Sequence, residues 1–96
     1  MAKAIVTFRI MPDSPDTNLK ELENKVLASI KNFCVEKGKD LDYKTIIEPI
    51  AFGLKSLNVT FVMDEAKGST ESLEKEIGTF EDVASVEVTD VRRAIG

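Results

Sequence analysis

Histidine and tryptophan are missing from this 96-residue chain, which has one cysteine, one tyrosine and three prolines. Each scarcity removes a class of function. Without histidine, nucleophilic catalysis of the Ser-His or Cys-His kind is excluded in its usual form. A single cysteine, Cys34, cannot form an internal disulfide. Together the two absences argue against a zinc or copper site. A basic excess is also lacking: 13 Lys and Arg stand against 17 Asp and Glu, a formal net charge of −4. A nucleic-acid binder needs the opposite balance. An acidic chain suits a basic partner surface, though only weakly. Gly53 and Gly68 stand alone, so neither common glycine-rich phosphate loop is present. No apolar run approaches the ~20 residues of a membrane span, and no basic-then-apolar leader opens the chain. The expectations are a cytoplasmic protein with no cofactor, no metal, no membrane partner and no direct nucleic-acid partner.

What remains is ordinary for a globular protein: 43% hydrophobic and 31% charged residues, enough for one domain, residues 1–96, with a modest core. Ala4, Val6, Phe8 and Ile10 alternate with Thr7 and Arg9, the pattern of a strand with one buried face. Pro12, Asp13, Pro15 and Asp16 mark a loop. Asn18 followed by Glu21 has the form of a capping box and opens a helix. Leu19, Leu22, Val26, Ile30, Phe33 and Cys34 then recur at helical spacing. Cys34 lies on that apolar stripe and reads as a small buried hydrophobe. Gly38 is the expected stop.

Tyr43 to Ile50 is β-rich but contains Pro49, which cannot donate to a ladder and places the strand at a sheet edge. Its inward face is open: Ile46 with Ile50, or Ile47 with Ala51. Leu57, Val59, Phe61 and Met63 alternate in a third strand, and Val62 on the other face suits a central position. Asp64 to Gly68 reads as a loop. Ser69 or Thr70 caps a second helix with Leu73, Ile77 and Phe80 on its apolar side, ended by Gly78. Val83 to Val91 is the last strand, with Val86 and Val88 inward. The order β-α-β-β-α-β, with right-handed crossovers, closes as an α+β ferredoxin-like sandwich. Its antiparallel sheet has the order 4-1-3-2, with both helices on one face.

One stretch departs from this economy. Pro49-Ile50-Ala51-Phe52-Gly53-Leu54-Lys55 joins two strands, where polar turn residues are usual. Gly53 permits a positive φ and a sharp reversal. Phe52 either projects beyond the sheet toward a partner or folds down over the core edge. Full burial of a Phe is worth roughly 1.5–3 kcal/mol. Arg92-Arg93 is the basic pair outside the helices; it either pairs with Asp90 or Glu87 or meets a partner's phosphates or carboxylates. Lys55 has the same two readings. The loop carboxylates Asp13, Asp16, Asp64 and Glu65 match no calcium loop. An RNA-binding sheet needs outward aromatics, whereas Phe8 and Phe61 fall on the inward set.

The segment Pro49-Ile50-Ala51-Phe52-Gly53-Leu54-Lys55-Ser56-Leu57 resembles the signature of the guanine-nucleotide-exchange domain of the beta subunit of translation elongation factor 1. Lys3-Ala4-Ile5-Val6-Thr7 with Pro12-Asp13, Thr17-Asn18-Leu19 and Thr89-Asp90 extend the likeness over nearly the whole chain. Its length and its Thr89-Asp90-Val91-Arg92-Arg93 ending are similar to the short archaeal form. The resemblance implies the ferredoxin-like fold reached above. It also implies a partner, the GTPase elongation factor 1-alpha, and a function: speeding GDP release so that GTP loads, with no covalent chemistry. In the family, the Phe matching Phe52 enters a pocket on the GTPase. The site residues so implied are Phe52, Gly53, Pro49 and Lys55, with Arg92 and Arg93 as candidate charges. Eukaryotic members reach the magnesium and phosphate site with a lysine that would fall at or near Gly96 here, so this chain lacks it. The free chain is expected to be a monomer. The alternatives are a ferredoxin-like regulatory or ligand-binding module acting as a dimer, and a small acyl-phosphate hydrolase, for which no glycine-flanked anion loop is found.

Overall fold

A computed structural model of the chain describes residues 3–34, 41–65 and 68–94. The elements run β1 (Lys3–Pro12), α1 (Leu19–Cys34), β2 (Tyr43–Pro49), β3 (Lys55–Asp64), α2 (Glu71–Gly78) and β4 (Val83–Ala94). The strands form one sheet in the order β2-β3-β1-β4, with every neighbouring pair antiparallel. This is the expected ferredoxin-like arrangement.

Alternation fixes which face is buried. Val6, Phe8 and Ile10 of β1 pair across to Phe61, Val59 and Leu57 of β3, and all six side chains are buried. Leu22, Val26 and Ile30 of α1 and Leu73 and Ile77 of α2 join the same cluster, so both helices lie on that face. Phe8 and Phe61 meet edge to face, with ring centroids 5.1 Å apart. The opposite face carries polar side chains at its centre, where the Thr7 and Thr60 hydroxyls bond each other at 3.0 Å.

Helix α1 starts as its sequence dictates. The Asn18 side-chain oxygen accepts from the N–H groups of Lys20 and Glu21 at 3.1 and 3.2 Å, satisfying two otherwise unpaired donors. For α2, the choice between Ser69 and Thr70 splits. The Ser69 hydroxyl accepts from Glu71 N–H at 3.1 Å, while the Thr70 hydroxyl donates to Glu74 at 3.0 Å. Gly78 is the last helical residue, but its φ is not positive, so the left-handed stop expected there is absent. The Thr79 hydroxyl instead donates to the Glu76 carbonyl at 2.6 Å. Gly38 lies outside the described residues.

β1, β3 and β4 run slightly beyond their expected ends, while β2 stops at Pro49, one residue short of Ile50. Asp64, read as loop, closes β3 opposite Lys3, and Pro12 closes β1 opposite Val83. β4 continues past Val91 to Ala94 and uses twelve residues against ten of β1. The surplus falls at two bulges. Phe8 pairs with Val88 and Thr7 with Asp90, leaving Thr89 extra; Met11 pairs with Ser85 and Pro12 with Val83, leaving Ala84 extra. Each bulge resets the alternation. Val86 and Val88 face the core as expected, and after Thr89 the inward positions become Val91, opposite Val6, and Arg93, opposite Ala4.

β2 is the edge strand that Pro49 implied. Register places Tyr43, Thr45, Ile47 and Pro49 on the helix side, opposite Phe61, Val59, Leu57 and Lys55. Ile46 faces the other way. Yet Ile46 and Ile47 are each 45% exposed, because the helices cover the other strands and stop short of this one. The ambiguity of the inward face is therefore a property of the strand.

Candidate functional site

The chain reverses between β2 and β3 in a tight turn. Leu54 N–H donates to the Ala51 carbonyl at 2.9 Å, and Ile50 N–H donates to the Leu54 carbonyl at 2.8 Å. Both central residues have positive φ, 56° at Phe52 and 80° at Gly53, as in a type I′ turn. Gly53 behaves as expected. Phe52 does not follow the usual chemistry, since that position favours Asn, Asp or Gly. Holding a bulky residue there costs on the order of 1–2 kcal/mol. No burial offsets it: Phe52 is 96% exposed. The ring projects and does not cap the core.

The hairpin behind the ring is braced. Ser56, fully buried, donates to the Glu48 carbonyl at 3.4 Å. The Asn58 amide donates to the Ile46 carbonyl at 3.3 Å and to the Ser56 hydroxyl at 3.0 Å. On the helix side, a Cβ placed on Gly53 would sit 3.8 Å from Pro15 Cβ. Gly53 and Lys55 share a recess of about 230 Å³ with Pro12 at the end of β1 and Ser14, Pro15 and Thr17 of the β1–α1 connection. That connection is itself tied down, with Asp13 N–H donating to the Asp82 carbonyl at 2.8 Å. Pro49 and Lys55 pair at the hairpin base. Sequence reasoning missed Pro15, which lies far from the hairpin in the chain and carries no local signal for the contact.

Arg92 and Arg93 lie elsewhere. They pair with Ile5 and Ala4, which pair in turn with Val62 and Met63. That row is roughly 23 Å along the strands from Lys55, and Phe52 lies further still. The six candidate residues thus form two groups at opposite ends of the sheet. As neighbours in one strand the arginines point to opposite faces, and the Thr89 bulge decides that Arg93 takes the helix side. Arg92 Nε lies 2.8 Å from Asp90 Oδ2, one of the two carboxylates expected for it. Arg93 Nε donates to Glu65 Oε1 at 2.7 Å, a partner just past the end of β3 that sequence reasoning did not name. Both guanidinium groups remain largely exposed.

Among the described residues, no group of three or more His, Cys, Asp or Glu is placed to hold a metal ion. No helix among them is long and apolar enough to cross a membrane.

Fold and site together define a ferredoxin-like domain whose most exposed apolar group rides on a hairpin tip. The backbone likeness to solved structures supports the fold. A de novo designed protein, Foldit4, superposes with a TM-score of 0.65 at 16% identity, covering 98% of both chains. The ACT domain from GTP pyrophosphokinase of Chlorobium tepidum gives 0.51 at 20% identity, over 88% of this chain and 95% of that one. The chain belongs to the EF-1 guanine nucleotide exchange domain family, whose model matches residues 5–94. Its similar relatives include the elongation factor 1-beta proteins of Methanothermobacter thermautotrophicus, 41% identical, and Methanobrevibacter smithii, 40% identical. Each aligns over 97% of this chain and 98% of its own. That of Staphylothermus marinus is 38% identical over the same shares. The class of work is guanine nucleotide exchange in translation elongation.

Proposed function

We propose that this chain promotes GDP release from, and GTP loading of, elongation factor 1-alpha, and that Phe52 is its principal contact. The observation that carries the reading is the 96% exposed ring on a strained, braced turn in a member of an exchange-domain family. Exchange requires no bond making by the factor, only tighter binding to the nucleotide-free GTPase than to the GDP-bound form. A ring seated in a pocket that opens as nucleotide leaves supplies that difference. Such an anchor contributes ~2 kcal/mol or more, and ~1.4 kcal/mol already changes relative affinity tenfold.

Each of the other residues has a part in this proposal. Gly53 and Pro49 set the turn, Lys55 meets the partner beside the ring, and Arg92 and Arg93 meet it far from Phe52. A partner touching both groups must span the length of the sheet. Residues 1–96 act in this reading as one exchange domain in the cytoplasm. Phe8 and Phe61 are buried and give no support to RNA stacking, and the polar centre of the open sheet face favours no face-to-face dimer.

Stopped-flow release of labelled GDP from elongation factor 1-alpha tests the proposal. Saturating chain accelerates release, and Phe52→Ala abolishes most of the acceleration with the melting temperature unchanged. No acceleration by the unaltered chain rejects the function. A collapse in stability on Phe52→Ala rejects the role given to the ring.

A further inference from the structure

Of the six large hydrophobic residues exposed among the described residues, five lie between Tyr43 and Phe52. Phe52 belongs to the turn, but Tyr43, Ile46 and Ile47 belong to β2, whose outer edge no other strand covers among the described residues. The ladder shows which backbone groups that edge presents. Val62 N–H donates to the Asp42 carbonyl at 3.1 Å, and Ile50 N–H donates to the Leu54 carbonyl, so even-numbered residues bond β3. Tyr43, Thr45 and Ile47 then direct N–H and C=O outward, while Pro49 presents only its C=O.

We propose that this edge pairs with β2 of a second copy, antiparallel, about a two-fold axis through Ile46. Charge selects the register. About that axis, Lys44 of each copy faces Glu48 of the other on the open sheet face, so one attractive pair forms twice. Thr45 and Ile47 of one copy exchange backbone hydrogen bonds with Ile47 and Thr45 of the other. Tyr43 N–H reaches the Pro49 carbonyl, where the missing proline N–H ends the ladder. Moving the axis to Thr45 sets Asp42 against Glu48, two like charges, and moving it to Ile47 leaves Lys44 opposite Ile50. Directly opposed like charges destabilise a strand pair and opposite charges favour it. The product is a continuous eight-stranded sheet with all four helices on one face. It departs from the monomer expected from sequence. Its two Phe52 tips point outward at opposite ends, roughly 40 Å apart, and both stay free.

Sedimentation equilibrium on the chain alone, up to about 1 mM, tests this independently of the exchange reading. The unaltered chain is expected to move toward twice its mass. Lys44→Glu and Glu48→Lys should each weaken association about tenfold or more, because symmetry counts each change twice. A one-to-one mixture of the two variants should associate again, since every facing pair is then of opposite sign. Unfolded variants could not do so. Slowed amide exchange at Thr45 and Ile47 should accompany the dimer. A chain that stays monomeric throughout, a dimer indifferent to Lys44→Glu, or a mixture that fails to associate each overturns the proposal.

Discussion

β2 and β4 each close one side of the same sheet, yet they are built in opposite ways. β2 pairs residue for residue over seven positions, offers isoleucines on both faces, and shares with α1 little more than a recess at Tyr43. β4 is longer, bulged twice, packed by α2, and ends in arginines already engaged by carboxylates. An edge can be protected by irregularity, charge or cover, and β4 has all three. β2 has only Lys44, Glu48, Pro49 and its short length. The difference separates an edge that is covered and charged from an edge that, among the described residues, leaves its outward backbone groups without a neighbouring strand.

That contrast can be broken at graded cost. The largest effect is expected at the turn that extends β2: Phe52→Ala should lower the rate of GDP release about 30-fold or more, the kinetic equivalent of a ~2 kcal/mol hot spot. Next comes the same kind of truncation on both edges. Val88→Ser, against the core, should cost about 1–3 kcal/mol in urea unfolding. Ile47→Ser should cost under ~0.5 kcal/mol, and equal losses would erase the distinction. Phe52→Asn should move two readouts in opposite directions. Relief of the positive φ should raise stability by up to about 1 kcal/mol, or ~4–8 °C in Tm, while exchange is lost. The smallest effect is expected from Arg92→Ala with Arg93→Ala, whose exposed pairs should contribute under ~1 kcal/mol each. Their joint loss should slow exchange less than Phe52→Ala, and the reverse order would move the principal contact to the other end of the sheet.

How much of this was legible beforehand follows from what each residue touches. β1 and β3 could be read because one face of each is buried, so burial and alternation agree. β2 could not, because Ile46 and Ile47 are equally exposed and no core selects between them. Phe52 stood out as the wrong residue for a connection. Its positive φ did not, since Gly53 beside it already accounted for a sharp reversal. The positions of Arg92 and Arg93 were hidden by the Thr89 bulge. Its trace was in the sequence nonetheless: the valines run 86, 88 and then 91, a change of phase that an unbroken strand does not make. The brace from Pro15 and the Arg93 pair with Glu65 bring together segments far apart in the chain, and only the closed sheet reveals them.

The surplus positions in β4 also bear on how the chain tolerates change in length. Ala84 and Thr89 have no opposite number on β1, so they are slack in an otherwise taut ladder. Dropping Thr89 would shorten the protein by one residue and still leave Val91 against Val6 and Arg93 within reach of Glu65. The same deletion anywhere in β3 would turn half a strand inside out.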